Sequence, residues 1–340
     1  MSQADMLNMR RIEMLKSMIR LGMRCVPNHI HAYRLVAGRG HWLFPELPNF
    51  RTEPFLLDGQ LPAIWVSHKR ECTSRVILYL HGGGYAIGSN RTHLQLACRI
   101  TRAAQAQTMM VEYRLAPENP YPAAVDDAVQ AYRWLLNNGT KPHQIVIAGD
   151  SAGGGLTMAT VLALREQGLP SPAGAVCLSP WLDLTCYHSS NSPRLHRDPI
   201  ITPSRICMFA KLYAGSHDAA LPGISPLYGD LHDLPPVLVQ VGGDEILLSE
   251  SKQLRRRAKG RMQLELQVWP HMFHVWHFAA RFLPQGDQAI REIGEFVRRV
   301  VPLPEFKQVC EIPQAVQEQS MEGNLQALWT RTQNLVQNAW

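Results

Sequence analysis

The chain has 340 residues, of which 46% are hydrophobic and 18% are charged, a composition typical of a folded globular protein and not of a disordered one. The formal net charge of +6 is weak and dispersed, which argues against a dedicated nucleic-acid-binding protein. The seven cysteines form no C-x-x-C pair, so the sequence indicates neither a disulfide framework nor a zinc knuckle.

Two observations bear on where in the cell the protein is located. Charged residues interrupt every apolar stretch of the first 24 residues, whereas a signal peptide needs an uninterrupted apolar core. No run of 18 apolar residues occurs, so we expect no membrane span. We therefore expect a cytoplasmic protein with reduced thiols.

The first fifty residues are predicted to begin with an amphipathic helix. Six apolar residues recur there at spacings of three and four, which is typical of one apolar helix face: Met6, Met9, Ile12, Leu15, Met18 and Ile19. The opposite face is basic. A helix of this kind can touch a membrane surface. The alternative, that its apolar face packs on its own domain, is favoured.

From residue 51 onward, strands alternate with helices. Apolar runs predict strands at 63–67, 75–80, 108–113, 145–149, 174–179, 236–241 and 263–269. Helices are predicted at about 92–105, 122–138, 153–167, 247–259 and 285–300. Runs of this length separated by helices indicate buried parallel strands in a three-layer α/β sandwich.

Two segments depart from this alternation. Residues 184–235 are rich in proline and too long for an ordinary connection, so they are interpreted as an inserted lid with a helix near 203–214. The tail, 305–340, is more polar and is predicted to end in a weakly amphipathic helix.

The strongest chemical signal is Gly149-Asp150-Ser151-Ala152-Gly153, which fits G-x-S-x-G between a predicted strand and a predicted helix. Glycines beside the serine permit a tight turn, and the following helix start favours negative charge there. A glycine-rich turn with an incidental serine is the alternative. The strand and helix on either side favour Ser151 as a nucleophile.

A second glycine motif, His81-Gly82-Gly83-Gly84, directly follows a predicted strand. Successive glycines allow backbone N–H groups to face a ligand, as the oxyanion of an acyl-transfer intermediate requires. A phosphate loop is the rival interpretation, but no G-K-[ST] follows and the spacing does not fit G-x-G-x-x-G.

A serine nucleophile needs a base and an acid that orients the base. In one known order, serine, acid and histidine each follow a strand. Asp244 and Glu245 follow one predicted strand, and we prefer Asp244 because it comes first. His274 follows the last strand and is preferred over its neighbours His271 and His277.

Five motifs in order resemble the hormone-sensitive-lipase-like branch of the α/β hydrolases, whose bacterial members are called family IV carboxylesterases. They are HGGG at 81–84, EYRLAPE at 112–118, YPAAVDDA at 121–128, GDSAGG at 149–154 and SPWLDLT at 179–185. The resemblance covers about residues 51–300. The sequence departs from the family's D-P-L-x-D-E pattern, because Glu245 stands where the family has proline.

The resemblance implies an α/β-hydrolase fold, with a mostly parallel central sheet flanked by helices and a helical cap. Residues 51–184 and 231–304 would form the catalytic domain, 1–50 and 185–230 the cap, and 305–340 a helical tail. Implied catalytic residues are Ser151, Asp244 and His274, with the oxyanion hole formed by Gly83, Gly84 and Ala152. No metal or organic cofactor is needed, and the expected partner is a small ester.

The expected activity is a serine carboxylesterase acting on short- to medium-chain, fairly apolar esters. Relatives of the family are often dimers, so the resemblance also implies a homodimer. The same triad serves hydrolysis of lactones, formamides or acetylated compounds, and these stay open. Less favoured are a ligand-binding protein without turnover and a basic surface-binding module built on the cationic run 255–261, which lacks interleaved aromatic residues.

Overall fold

The computed structural model describes residues 3–40, 47–69 and 73–302. Its strands are β1 (Phe50–Leu57), β2 (Leu61–His68), β3 (Val76–Leu80), β4 (Gln107–Val111), β5 (Ile145–Asp150), β6 (Gly174–Leu178), β7 (Val237–Gly242) and β8 (Leu264–Trp269). Its α-helices are α1 (Gln3–Arg24), α2 (Ile30–Gly40), α3 (Asn90–Ala104), α4 (Ala123–Asn137), α5 (Ala152–Glu166), α6 (Tyr187–Ser190), α7 (Pro203–Ala214), α8 (Leu248–Ala258) and α9 (Pro284–Val300).

The eight strands form one sheet in the order β1-β2-β4-β3-β5-β6-β7-β8. All pairs from β4 to β8 are parallel, whereas β2 is antiparallel to both β1 and β4. Helices cover both faces, so the predicted α/β-hydrolase arrangement with a mostly parallel sheet is confirmed.

The central strands are apolar throughout because both of their faces are buried. In β3, Leu78 and Leu80 pack in the cluster beneath α4 and α5, while Ile77 and Tyr79 pack in the cluster beneath α3 and α9. Alternate side chains thus reach opposite layers, as the pleat requires. This packing explains why unbroken apolar runs, and not an alternating pattern, predicted these strands.

The edge of the sheet differs from the prediction in two ways. The apolar run in β2 was expected to be a parallel strand, but it forms an antiparallel hairpin with β1 through the turn at Asp58-Gly59, where both residues have positive φ. Strand β1 itself was not predicted. It pairs on one side only and tolerates Pro54 and the exposed Arg51, so it lacks the apolar run that marks a central strand.

Helix α1 forms as predicted, but its apolar residues do not share one face. Ile12 is buried against Met272, Phe273 and Trp276 with Met9, Leu15 and Ile19 around it. Met6 and Met18 instead point outward and are exposed. No helix in the described ranges is both long and apolar enough to cross a membrane.

We call α1, α2 and residues 185–230 the cap, following the sequence-based division. The division itself, at 50/51, 184/185, 230/231 and 304/305, stays a prediction. The predicted helix near 203–214 is present as α7. The predicted helical tail, 305–340, lies outside the described residues.

Candidate active site

Ser151 stands on a tight turn between β5 and α5. Its backbone has φ +53° and ψ −119°, a conformation that is costly for a residue with a side chain and is typical of functional turns. The turn is held on both sides, since the Ser151 N–H donates to the Leu178 carbonyl at 2.8 Å and its carbonyl accepts from Trp181 N–H at 3.0 Å. A Cβ on Gly153 would lie 2.0 Å from the Leu80 carbonyl oxygen, so the turn requires glycine there.

His274 connects the serine to a carboxylate. Its Nε2 lies 2.9 Å from Ser151 Oγ, and its Nδ1 lies 3.0 Å from Glu245 Oε2. Burial by itself would lower the pKa of His274, but the hydrogen bond and negative charge of Glu245 outweigh it and raise that pKa above 6.5. The ring therefore has the contacts of a general base oriented by an acid.

The Glu245 carboxylate is fully buried and satisfied by several donors. Its Oε1 accepts from Ser179 Oγ at 2.7 Å and from Gly242 N–H at 2.5 Å, leaving Oε2 for His274. Ser179 in turn accepts from Val275 N–H at 3.1 Å, next to the histidine. This small network fixes both the acid and the base in one orientation.

Asp244, the acid predicted from the sequence, does not contact His274. Its Oδ2 accepts from Lys16 Nζ of α1 at 2.6 Å, and its Oδ1 lies 3.6 Å from Arg197 Nη1. The two neighbours lie in a turn after β7, in which the Glu245 N–H donates to the Gly242 carbonyl, and only Glu245 faces the histidine. The structure therefore does not bring Asp244 to His274 as expected, and the carboxylate that contacts the histidine is that of Glu245.

The loop 243–246, which carries both carboxylates, is held by the cap at several points. Besides the contacts to Asp244, Arg194 Nε donates to the Gly243 carbonyl at 2.6 Å, and the Ile246 N–H donates to Asp198 Oδ2 at 3.2 Å. Both cap segments, the N-terminal helix and the insertion, thus contact the loop that positions Glu245.

The glycine motif after β3 is fixed by the residue before the serine. Asp150 Oδ1 accepts from Gly82 N–H at 3.0 Å and from the Tyr79 hydroxyl at 2.7 Å. Its Oδ2 lies 3.3 Å from His93 Nε2. Burial would raise the pKa of Asp150, but the charge and hydrogen bond of His93, with that of Tyr79, hold it below its usual range. The buried carboxylate therefore stays ionised.

The three amides predicted as oxyanion donors lie around the serine. Gly83 and Gly84 line the cavity above it, and Ala152 is the first residue of α5. Within the described ranges, no acceptor pairs with the N–H groups of these three residues. Gly83 has φ +121°, and a Cβ there would lie 2.1 Å from the Ile87 carbonyl oxygen, so only glycine fits.

The other two histidine candidates lie elsewhere. His271 is exposed, as expected of a loop residue. His277 is fully buried, with Nε2 2.8 Å from Gln240 Oε1, and burial lowers its pKa to about 3. His277 is therefore a core histidine, and of the three only His274 contacts Ser151.

A cavity of about 600 Å³ opens above Ser151 and His274. Its walls come from α1, α2, the insertion and the segment after β8, and they are mostly apolar: Leu15, Ile19, Tyr33, Ile201, Phe209, Phe278 and Phe282. A volume in this range, with few polar groups at one end, is typical of a small-molecule site.

The sequence analysis missed three residues that hold this site. Ser179 directly follows β6 inside the SPWLDLT motif, so its place at a strand end was a usable signal. The roles of Lys16 and His93 had no comparable signal, because their partners lie far away in the chain: Lys16, for example, is 228 residues from Asp244. Glu245 was a named candidate, but the sequence favoured its neighbour.

A family model described as alpha/beta hydrolase fold matches residues 77–278. An acetyl-hydrolase of Streptomyces hygroscopicus is 39% identical over 288 residues, which covers 84% of this chain and 96% of that protein. An esterase of Acinetobacter venetianus is 35% identical over 258 residues, covering 75% of this chain and 84% of that protein.

The similar solved structures are also esterases. One is an esterase from the bacterial hormone-sensitive lipase family, with a TM-score of 0.82 and 42% identity, covering 86% of this chain and 98% of that one. Another is EstE5 soaked with p-nitrophenyl butyrate, with a TM-score of 0.81 and 41% identity, covering 86% and 99%. The likeness therefore extends over most of the chain.

The contact between Lys16 and Asp244 predicts a stability effect. Among the described residues, Lys16→Met leaves the nearly buried Asp244 carboxylate with the exposed Arg197 as its remaining ion-pair partner, so the free energy of unfolding should fall by about 2–4 kcal/mol. The measurement is urea denaturation of each variant. The double variant Lys16→Met/Asp244→Asn removes both charges and should recover more than half of the loss. Equal losses in the single and double variants would contradict an ion-pair origin.

Proposed function

Because the chain belongs to the bacterial hormone-sensitive-lipase-like family of α/β hydrolases and is a carboxylic ester hydrolase, we propose that it cleaves short- to medium-chain esters through Ser151, His274 and Glu245. The observation that carries the proposal is the His274 ring, which lies between Ser151 Oγ and Glu245 at the floor of an apolar cavity.

In the proposed reaction, Ser151 Oγ attacks the ester carbonyl while His274 Nε2 takes its proton. Glu245 keeps the other ring nitrogen protonated and stabilises the imidazolium that forms. His274 then protonates the leaving alkoxide, which leaves an acyl group on Ser151. A water molecule, deprotonated by the same histidine, hydrolyses that acyl-enzyme and restores the serine.

The negative charge of the tetrahedral intermediate is proposed to be bound by the N–H groups of Gly83, Gly84 and Ala152. Each donor of this kind contributes about 3 kcal/mol to the transition state in other enzymes. Support comes from the absence of any acceptor for these amides in the described chain, and from the N-terminus of α5, whose dipole favours negative charge at Ser151.

The substrate range is proposed from the cavity and from one relative. The walls around Ser151 are apolar, and a volume of about 600 Å³ has room for a small acyl and a small alcohol group. The related esterase EstE5 was soaked with p-nitrophenyl butyrate, an ester of a short acid. Both favour soluble esters of short and medium chain length over long-chain triglycerides.

A second candidate is removal of acetyl groups. It is favoured by the name of a relative that this chain matches over nearly its whole length, an acetyl-hydrolase. The same triad serves both activities, so the two differ in the alcohol or amine part of the substrate. A homodimer and a cytoplasmic location stay predictions.

The substrate proposal predicts a chain-length optimum. Hydrolysis of p-nitrophenyl esters from acetate to laurate should give the highest kcat/KM at short chains, and an acetylated amide measured alongside tests the second candidate. Ser151→Ala and His274→Ala should each lower kcat by about 10⁵-fold or more, because the nucleophile and its base act as a unit. Efficient hydrolysis of emulsified long-chain triglyceride with little on soluble esters would contradict the proposed substrate class.

The identity of the acid predicts a contrast between neighbours. Glu245→Gln should lower kcat by about 10⁴-fold, because the amide no longer favours the required tautomer of His274. Asp244→Asn keeps a similar shape and does not contact the histidine, so kcat should stay within about tenfold of the wild type. The measurement is kcat for p-nitrophenyl acetate in both variants. The reverse ranking would return the role to Asp244.

The raised pKa of His274 predicts a pH profile. His274 must be neutral to act as a base, so activity is lost as the pH falls through its pKa. The acid limb of kcat/KM should therefore have its midpoint above 6.5 in the wild type, and Glu245→Gln should move that midpoint to lower pH. The midpoints come from kcat/KM of the wild type and from the residual kcat/KM of Glu245→Gln, each measured between about pH 5 and 9. A midpoint that does not move would show that another group controls the acid limb.

A further inference from the structure

Helix α1 carries a second apolar stripe, on the side away from the cavity. Leu7, Met14, Met18 and Leu21 follow one another at spacings of seven, four and three, which places them on one side of the helix. They are between 53% and 66% exposed, whereas Ile12 on the inner side is fully buried. The helix is therefore apolar on two sides, and its own domain covers one of them.

The stripe belongs to a wider concentration of exposed apolar side chains. Of the eleven large apolar side chains that are largely exposed in the described residues, seven lie on α1 and α2: Met6, Leu7, Met14, Met18, Leu21, Leu35 and Val36. We call the four residues of the stripe, Leu7, Met14, Met18 and Leu21, the outer cap face. An exposed cluster of apolar side chains of this kind is typical of a surface that binds a protein, a membrane or a ligand.

The cavity opens close to this region. Residues Leu15, Ile19 and Met23 of α1 line the cavity, and they alternate along the helix with the exposed Met14, Met18 and Leu21. Phe282 lines the cavity and is itself 62% exposed, so it lies at the rim of the opening. Whatever covers the outer cap face therefore lies beside the route to Ser151.

The charge around the outer cap face is positive. Arg10, Arg11 and Arg24 of α1 are exposed, whereas the one exposed carboxylate described on this helix, Glu13, is paired with Lys16. Two identical copies meeting through this face would bring arginines against arginines. An anionic lipid surface instead offers phosphates to the arginines and an acyl layer to the methionines and leucines.

We propose that the outer cap face docks on an anionic phospholipid surface, with the mouth of the cavity beside the lipid. The helix lies along the interface, its apolar stripe in the acyl boundary and its arginines among the headgroups. This docking is independent of turnover, because none of its residues contacts Ser151, His274 or Glu245.

The test is flotation of the full chain with phosphatidylcholine vesicles, with and without phosphatidylglycerol. The wild type should float with the anionic vesicles and much less with phosphatidylcholine alone. Met14→Glu/Met18→Glu should weaken association at least about tenfold, by placing charge in the acyl layer. Arg10→Gln/Arg11→Gln should weaken it by about fivefold per arginine, and salt should weaken the wild type similarly.

A matched control lies elsewhere on the surface. Leu221→Glu/Val268→Glu adds the same charges at exposed apolar positions outside the outer cap face and should float like the wild type. Every variant should hydrolyse p-nitrophenyl acetate in solution at the wild-type rate, which shows that it is folded. If the wild type does not hydrolyse the ester but still floats, the docking stands and the proposed function fails.

Four results would overturn the proposal. The first is a wild type that does not float with anionic vesicles, and the second is a wild type that floats equally well without phosphatidylglycerol. The third is a control variant that loses as much association as Met14→Glu/Met18→Glu. The fourth is a wild-type dimer in light scattering that becomes a monomer in Met14→Glu/Met18→Glu, in which case a second copy covers the face.

Discussion

The candidate site depends on the buried carboxylate of Asp150. This residue precedes Ser151, yet its side chain reaches backward to Tyr79 on β3, to the Gly82 amide and to His93 on α3. An ionised group is costly to bury unless several partners compensate it, and here three do so. In return, the turn with the nucleophile and the loop with the proposed oxyanion donors are fixed relative to one another before any substrate arrives.

The layers of the fold could be predicted because their physical cause is local. Buried parallel strands need apolar residues on both faces, and the helices between them need one apolar side, so each leaves a pattern in its own residues. Strand β1 has no such pattern, since it pairs on one side and carries Pro54. Helix α1 shows the limit of periodicity: spacing grouped Met18 with Ile19, but the packing partners decided which of them is buried.

The residues of the candidate site likewise differ in whether the sequence could predict them. Ser151 lies in a specific motif after its strand, and His274 was preferred among three histidines after the last strand; the structure brings the two together at 2.9 Å. The acid could not be chosen from sequence, because Asp244 and Glu245 follow the same strand and have the same chemistry. The choice depends on contacts made by Lys16 and Ser179, which come from distant parts of the chain. The order of motifs along the chain does not show which distant residues will be in contact.

The contacts between the cap and loop 243–246 have a consequence for protein engineering. Cap segments are the natural target when substrate range is to be altered, since they form a large part of the apolar cavity wall. Here the same segments supply Lys16, Arg194 and Asp198 to the loop that carries Glu245. A chimera that takes its first helix or insertion from a relative must carry these three positions along, or specificity and turnover will change together. Libraries that keep them fixed separate the two properties.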